Sequence, residues 1–106
     1  MNISKLFDKY DLIPAVAQDA DTEQVLMLGF VNRLALEKTL ETKTAHFWSR
    51  TRDKLWQKGE TSGNVLNIVS IAVDCYENSL LYRVKPAGPT CHTGEVSCFF
   101  KEIYHG

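Results

Sequence analysis

The sequence predicts an α+β fold: a small, mostly antiparallel sheet with a few short helices. Three observations predict it. Strand-length apolar segments outnumber helical ones, and most neighbouring segments are joined by short polar turns, as hairpins are. One segment also carries a helix start signal followed by apolar residues at helical spacing. The 106 residues fit one domain, 1–106, and leave no room for two.

Residues 3–10 read as a short helix with Leu6, Phe7 and Tyr10 on one side. Segments 13–18 and 25–30 are apolar, and the polar run 19–23 between them makes the pair a hairpin. Asn32 is a suitable N-cap for a helix reaching about Thr42, because its side-chain oxygen can accept from the first free N–H groups. Leu36 and Leu40, four apart, predict the buried stripe of that helix. Segment 45–49 reads as a strand. Segments 65–73 and 80–84 read as two more, joined by the polar run 74–79. Pro86, Gly88 and Pro89 break the chain next. Segment 99–104 is predicted to be a last strand.

Composition narrows the function. Apolar residues make up 44%, enough for an ordinary core. A chain this short is often helped by a metal, a disulfide or a partner subunit. Lys and Arg number 12 against 13 Asp and Glu, a net charge of −1. That balance opposes bulk capture of nucleic acid, though it allows a local basic pocket for one phosphorylated ligand. The first residues lack the apolar core of a secretory signal, and no apolar run is long enough for a membrane span. The cytoplasm is therefore the expected compartment, with no membrane partner. Three cysteines, an odd number, argue against a disulfide framework there.

The first constellation is Cys75, Cys91-His92 and Cys98. Thiolates are strong zinc ligands, and a catalytic zinc takes three protein ligands with the fourth position left to water. Three cysteines suit such an open site. Cys75 follows a predicted strand, and Cys91 and Cys98 flank a Gly-containing turn. By spacing alone, His92 can still close the site as a fourth, structural ligand. Inert buried thiols are the plain alternative.

The second constellation is Phe47-Trp48-Ser49-Arg50-Thr51-Arg52, continuing through Trp56-Gln57-Lys58-Gly59-Glu60-Thr61-Ser62-Gly63-Asn64. Guanidinium groups grip phosphate bidentately, and Gly and Ser N–H groups approach it closely. An aromatic face can stack on a purine. The plain reading is a solvated basic hairpin with Trp48 and Trp56 in the core, and core is the stronger reading for each Trp. For Arg50, Arg52 and Lys58 together, the nearby hydroxyls and glycines favour phosphate binding. The third is Asp74-Cys75-Tyr76-Glu77-Asn78, where composition favours a turn capped by Asp74. His46 and His105 have no constellation around them.

Together these stretches resemble phosphoribosyl-AMP cyclohydrolase, a family of histidine biosynthesis. The resemblance rests on Phe47-Trp48-Ser49-Arg50, the run from Trp56 to Asn64, Asp74-Cys75, and Cys91-His92-Thr93-Gly94 with Ser97-Cys98. Val16-Ala17-Gln18-Asp19 and Val25-Leu26-Met27-Leu28 fit the family's opening hairpin. The resemblance implies an intertwined homodimer whose zinc sites are built from both subunits, with zinc on Cys75, Cys91 and Cys98. It implies hydrolysis of the N1–C6 bond of the adenine ring of 1-(5-phosphoribosyl)-AMP, zinc-activated water attacking C6. His92 is the first choice for the acid/base and Glu60 the second. Trp48, Ser49, Arg50, Arg52, Lys58, Thr61, Ser62 and Asn64 are the expected substrate-binding residues. The family also carries a magnesium motif of acidic residues alternating with the cysteine. Asp74 matches it and Asn78 holds a second position, but Tyr76 and Asn78 replace aspartates.

Two other classes use the same residues. One is a zinc-stabilised, non-catalytic nucleotide- or RNA-binding module, favoured if His92 closes the zinc site. The other is a thiol redox protein, disfavoured by the absence of a CxxC pair.

Overall fold

The computed structural model describes residues 3–106. It opens with a 3-10 helix, Ile3–Phe7, shorter than the expected helix over 3–10. Leu6 is buried and Phe7 packs at the core's margin, while Tyr10 is exposed.

Strands β1 (Ile13–Asp19) and β2 (Val25–Val31) form the expected hairpin. Alternation along β1 sends Ile13, Ala15 and Ala17 inward. The Asp19 carboxylate closes the turn by accepting from the N–H groups of Asp21 and Thr22 at 2.8 and 3.2 Å.

Helix α1 (Arg33–Thr42) starts where the cap predicts: Asn32 Oδ1 accepts from the Ala35 N–H at 2.9 Å. Its buried residues are Ala35, Leu36 and Thr39. Leu40 departs from expectation and is 48% exposed. Four residues overshoot one helical turn by roughly 40°, which carries Leu40 to the edge of the face centred on Ala35, Leu36 and Thr39. Thr39 occupies the inner position instead. Its Oγ1 accepts from the His46 N–H at 2.9 Å and donates to the Ala35 carbonyl at 2.8 Å.

Strands β3 (His46–Ser49) and β4 (Lys54–Gln57) make a separate two-stranded sheet. The sequence reading did not single out β4. Strands β5 (Leu66–Val73) and β6 (Leu80–Pro86) form the second predicted hairpin. β6 then lies parallel to β1, so the main sheet runs β2-β1-β6-β5 with one parallel pairing among antiparallel ones.

The strand expected over 99–104 does not form. The Cys98 N–H still bonds to the Leu26 carbonyl at 2.7 Å, but beyond it the chain has no ladder partner. Phe99, Ile103 and Tyr104 are exposed there.

The core lies between the sheet's inner face, α1 and the small sheet, with Phe47, Leu36, Leu66 and Tyr82 at its centre. The Phe47 ring lies 5.2 Å from that of Trp56 and 5.8 Å from that of Tyr82, joining the two sheets. Among the described residues, no helix is long and apolar enough to cross a membrane.

Candidate active site and metal centre

The loop after β4 is held at both ends. The Lys58 N–H bonds to the Ala45 carbonyl at 3.0 Å, and the Gly63 N–H returns to the Gly59 carbonyl at 2.7 Å. Gly59 has φ +84°, and a Cβ there would collide with the backbone of Asn64. A Cβ on Gly88 would collide with the Asn64 side chain. Two glycines therefore let Asn64 seat between the β4 loop and the segment after β6.

That segment forms a tight loop. The Thr90 N–H bonds to the Val96 carbonyl at 3.2 Å and the Cys91 N–H to the Glu95 carbonyl at 3.1 Å. Ser97 donates to the Val25 carbonyl at 2.7 Å, which with the Cys98 N–H fixes the loop's end against β2. Cys91 and Cys98 are thereby brought together, and each perturbs the other's ionisation.

The two thiols differ in acidity. The Thr93 hydroxyl donates to Cys91 Sγ at 3.1 Å. That bond and the Thr93 N–H hold the Cys91 thiol below its ordinary value against the opposing effect of burial, with smaller help from Cys98 and the Lys58 ammonium. Cys98 is pushed up, first by desolvation and then by the charge on Cys91. Cys91 is thus the first of the pair to ionise.

Cys75 is elsewhere. It is exposed in the turn between β5 and β6, whereas Cys91 follows the far end of β6. A strand of this length spans roughly 20 Å. Among the described residues, no three of His, Cys, Asp or Glu are grouped closely enough to hold a metal.

Small-ligand clefts run from roughly 300 to 1,000 Å³, and the one beside Cys91 is about 520 Å³. Arg52, Lys58, Glu60, Thr61, Ser62, Asn64 and His92 all line it. An adjoining cleft of about 390 Å³ takes Trp48, Ser49, Arg50, Arg52 and Glu60. Arg52, Trp56 and Glu60 belong to both. The Arg50 guanidinium stacks on Phe30, 3.9 Å from the ring centre, and Lys58 Nζ lies 5.8 Å from the ring of Trp56. Trp48 and Trp56 are half-buried cleft walls rather than fully buried core.

Every residue expected to bind substrate or move protons therefore lines one of two neighbouring clefts. Of the expected zinc ligands, Cys91 and Cys98 come together and Cys75 does not join them. Asp74 and Asn78 lie with Cys75. The Asn78 and Ser79 N–H groups donate to Asp74 Oδ1 at 2.9 and 3.0 Å. The bond from Asn78 is the largest cause holding that carboxyl below its ordinary value. His46 is buried and His105 exposed, both outside the clefts.

The sequence reading missed Gln57 and Thr90 as cleft residues. Gln57 sat inside the motif without a role, and nothing local marks Thr90. Its Oγ1 is buried without a hydrogen-bond partner.

A family model described as phosphoribosyl-AMP cyclohydrolase matches residues 27–100. The phosphoribosyl-AMP cyclohydrolase of Sphingopyxis alaskensis is 54% identical over 97 residues, covering 92% of this chain and 77% of that protein. That of Archaeoglobus fulgidus is 52% identical over 97 residues, covering 92% of this chain and 90% of that protein. The histidine biosynthesis bifunctional protein HisIE of Photobacterium profundum is 58% identical over 94 residues, and the match spans only 45% of its length. The matched span contains the segments that build the two clefts and the cysteine loop, and the chain belongs to the phosphoribosyl-AMP cyclohydrolase family of histidine biosynthesis.

Proposed function

We propose that this chain hydrolyses the N1–C6 bond of the adenine ring of 1-(5-phosphoribosyl)-AMP, giving the phosphoribosyl-formimino-aminoimidazole carboxamide ribotide of L-histidine biosynthesis. One observation carries the reading: Cys91, His92, Glu60 and Lys58 line a single cleft that continues past Arg52 into a second. The substrate has a phosphate at each end. Two adjoining clefts with cations, Lys58 and Arg52 in one and Arg50 and Arg52 in the other, suit that shape.

The metal in this reading is zinc. The donor set fits: Cys91 and Cys98 are adjacent thiols, one already inclined to ionise. Cys75 of a second copy supplies the third ligand, because its own chain holds it at the other end of the hairpin. A homodimer has further support from the sheet's outer face. Leu28, Val16, Leu81 and Ala72 lie side by side across four strands, and Leu28 is exposed. An apolar row of this kind is suited to burial against another subunit. Zinc bound there supplies water with a pKa brought to roughly 7.

The chain's own residues do the rest. Arg50, Arg52 and Lys58 hold the phosphates, and the Trp48 and Trp56 walls flank the base. Water adds to C6, the N1–C6 bond breaks, and the carboxamide keeps the amino nitrogen. His92 delivers the proton that N1 needs as that bond breaks; Glu60, on the same cleft, is the second choice. The cytoplasm is the compartment that fits this biosynthetic role.

The test is the absorbance change of phosphoribosyl-AMP with zinc-loaded protein, repeated after chelation and checked by elemental analysis. Ring opening that needs zinc is expected. Zinc-loaded protein that binds the nucleotide without opening it would leave the non-catalytic binding module as the better account.

A further inference from the structure

We infer that the turn over 74–79 holds no magnesium ion on its oxygen ligands, and that Asp74 instead positions Cys75 by closing that turn. The second clause rests on the zinc reading above; the first does not.

Magnesium prefers an octahedron of hard oxygens and relies on carboxylates to anchor it. The family's pattern would place carboxylates at alternate positions around the cysteine. Here the phenol of Tyr76 and the amide of Asn78 stand there. Asp74, the one carboxylate that matches, commits one of its two oxygens to the turn, which leaves a single carboxylate oxygen for a cation. Its Oδ1 accepts from two backbone N–H groups, those of Asn78 and Ser79. The Asp74 N–H bonds to the Ser79 carbonyl at 3.1 Å and its carbonyl accepts from the Glu77 N–H at 2.9 Å. Hydrogen bonds thus fix this turn from within, on both sides of Cys75.

The surroundings agree. Tyr76, Glu77 and Asn78 line a cleft of about 400 Å³ that Lys5, Asp8 and Lys9 complete. Two ammonium groups offset the two carboxylates, Glu77 and Asp8, so the cleft lacks the negative charge that draws in a dication. The position is therefore a structural cap whose product is the presentation of Cys75.

The test uses the zinc-loaded protein and Mn²⁺ as a magnesium stand-in, with free Mn²⁺ read by electron paramagnetic resonance. No saturable site tighter than about 1 mM is expected. Tyr76→Asp with Asn78→Asp should create one, at least tenfold tighter than anything in the unaltered chain. Stoichiometric Mn²⁺ binding by the unaltered chain that Asp74→Asn abolishes would overturn the inference, as would failure of the double variant to gain a site. Asp74→Asn keeps an acceptor oxygen and should keep its zinc; Asp74→Ala loses the cap and should lose zinc affinity at least tenfold. Equal zinc affinity in all three would remove the positioning role. Mn²⁺ binding is read without turnover, so it can fail while the ring-opening assay succeeds, and the reverse. Magnesium stimulation that is equal in the unaltered chain and Asp74→Asn supports the inference, the ion then riding on the substrate's phosphates.

Discussion

Cys75 and Cys91 stand at opposite ends of one β-hairpin, the first in its closed turn and the second beyond its open end. A zinc ion using both must bridge two copies. We predict one zinc per chain and an interface above roughly 2,000 Å². Cys75→Ser and Cys91→Ser homodimers should each be inactive. After unfolding and refolding together in equal amounts, they should recover roughly a quarter of the original activity, since half the dimers carry one intact site. No recovery, or an active monomer by sedimentation, would sink the shared site.

Arg50 should act on binding more than on chemistry. Arg50→Ala is expected to raise KM about 10- to 100-fold, the worth of a charge-assisted contact, with kcat less affected. Steady-state kinetics decide it. Loss of thermal stability with unchanged kinetics would make the Arg50–Phe30 stack purely structural.

Zinc affinity should fall steeply as pH falls, because the ligands bind as thiolates and must release protons. The Thr93 hydroxyl favours the Cys91 thiolate. Thr93→Val should raise that thiol's pKa and weaken zinc about tenfold per unit of rise at neutral pH. Competition with a chromophoric chelator across pH measures this; an unchanged profile refutes the role given to Thr93.

Burial pushes the Tyr82 phenol up from 10.0 to about 12. The folded state thus favours the protonated form. The resulting stability is fully present below about pH 10 and is lost as pH rises toward 12, by about 3 kcal/mol in all. Denaturant titrations at several alkaline pH values should show the decline, and Tyr82→Phe should remove that component. A decline of equal size in the variant would place its cause elsewhere.

Removing the helix cap gives a simple stability test. Asn32→Ala frees the Ala35 N–H and should cost about 1 kcal/mol, read from the denaturation midpoint.

Much of the fold was legible because its signals are local. Alternation marks β1, Asn32 marks the start of α1, and the polar run 74–79 marks a turn. What was not legible depends on distant partners. Strand β4 is Lys-Leu-Trp-Gln, with no clear alternation, and exists because β3 pairs with it. Segment 99–104 has strand composition, but past the bond from the Cys98 N–H to Leu26 it pairs with neither edge strand of the sheet. Leu40 looked like core because spacing alone cannot say which neighbour centres a helix face. The site divides similarly. Its cations and hydroxyls were legible as a motif, and the shared wall at Arg52, Trp56 and Glu60 was not. Thr90 was invisible because only packing buries it.

The parallel contact between β1 and β6, Ala15 beside Leu80, governs how the molecule assembles. Each hairpin joins residues close in sequence and can form early. Their union needs the two chain-distant halves to meet across a long loop, which makes it the slow event. During synthesis the first hairpin must therefore wait with one edge of β1 unpaired until β6 emerges, an interval in which that edge is open to mispairing with other chains.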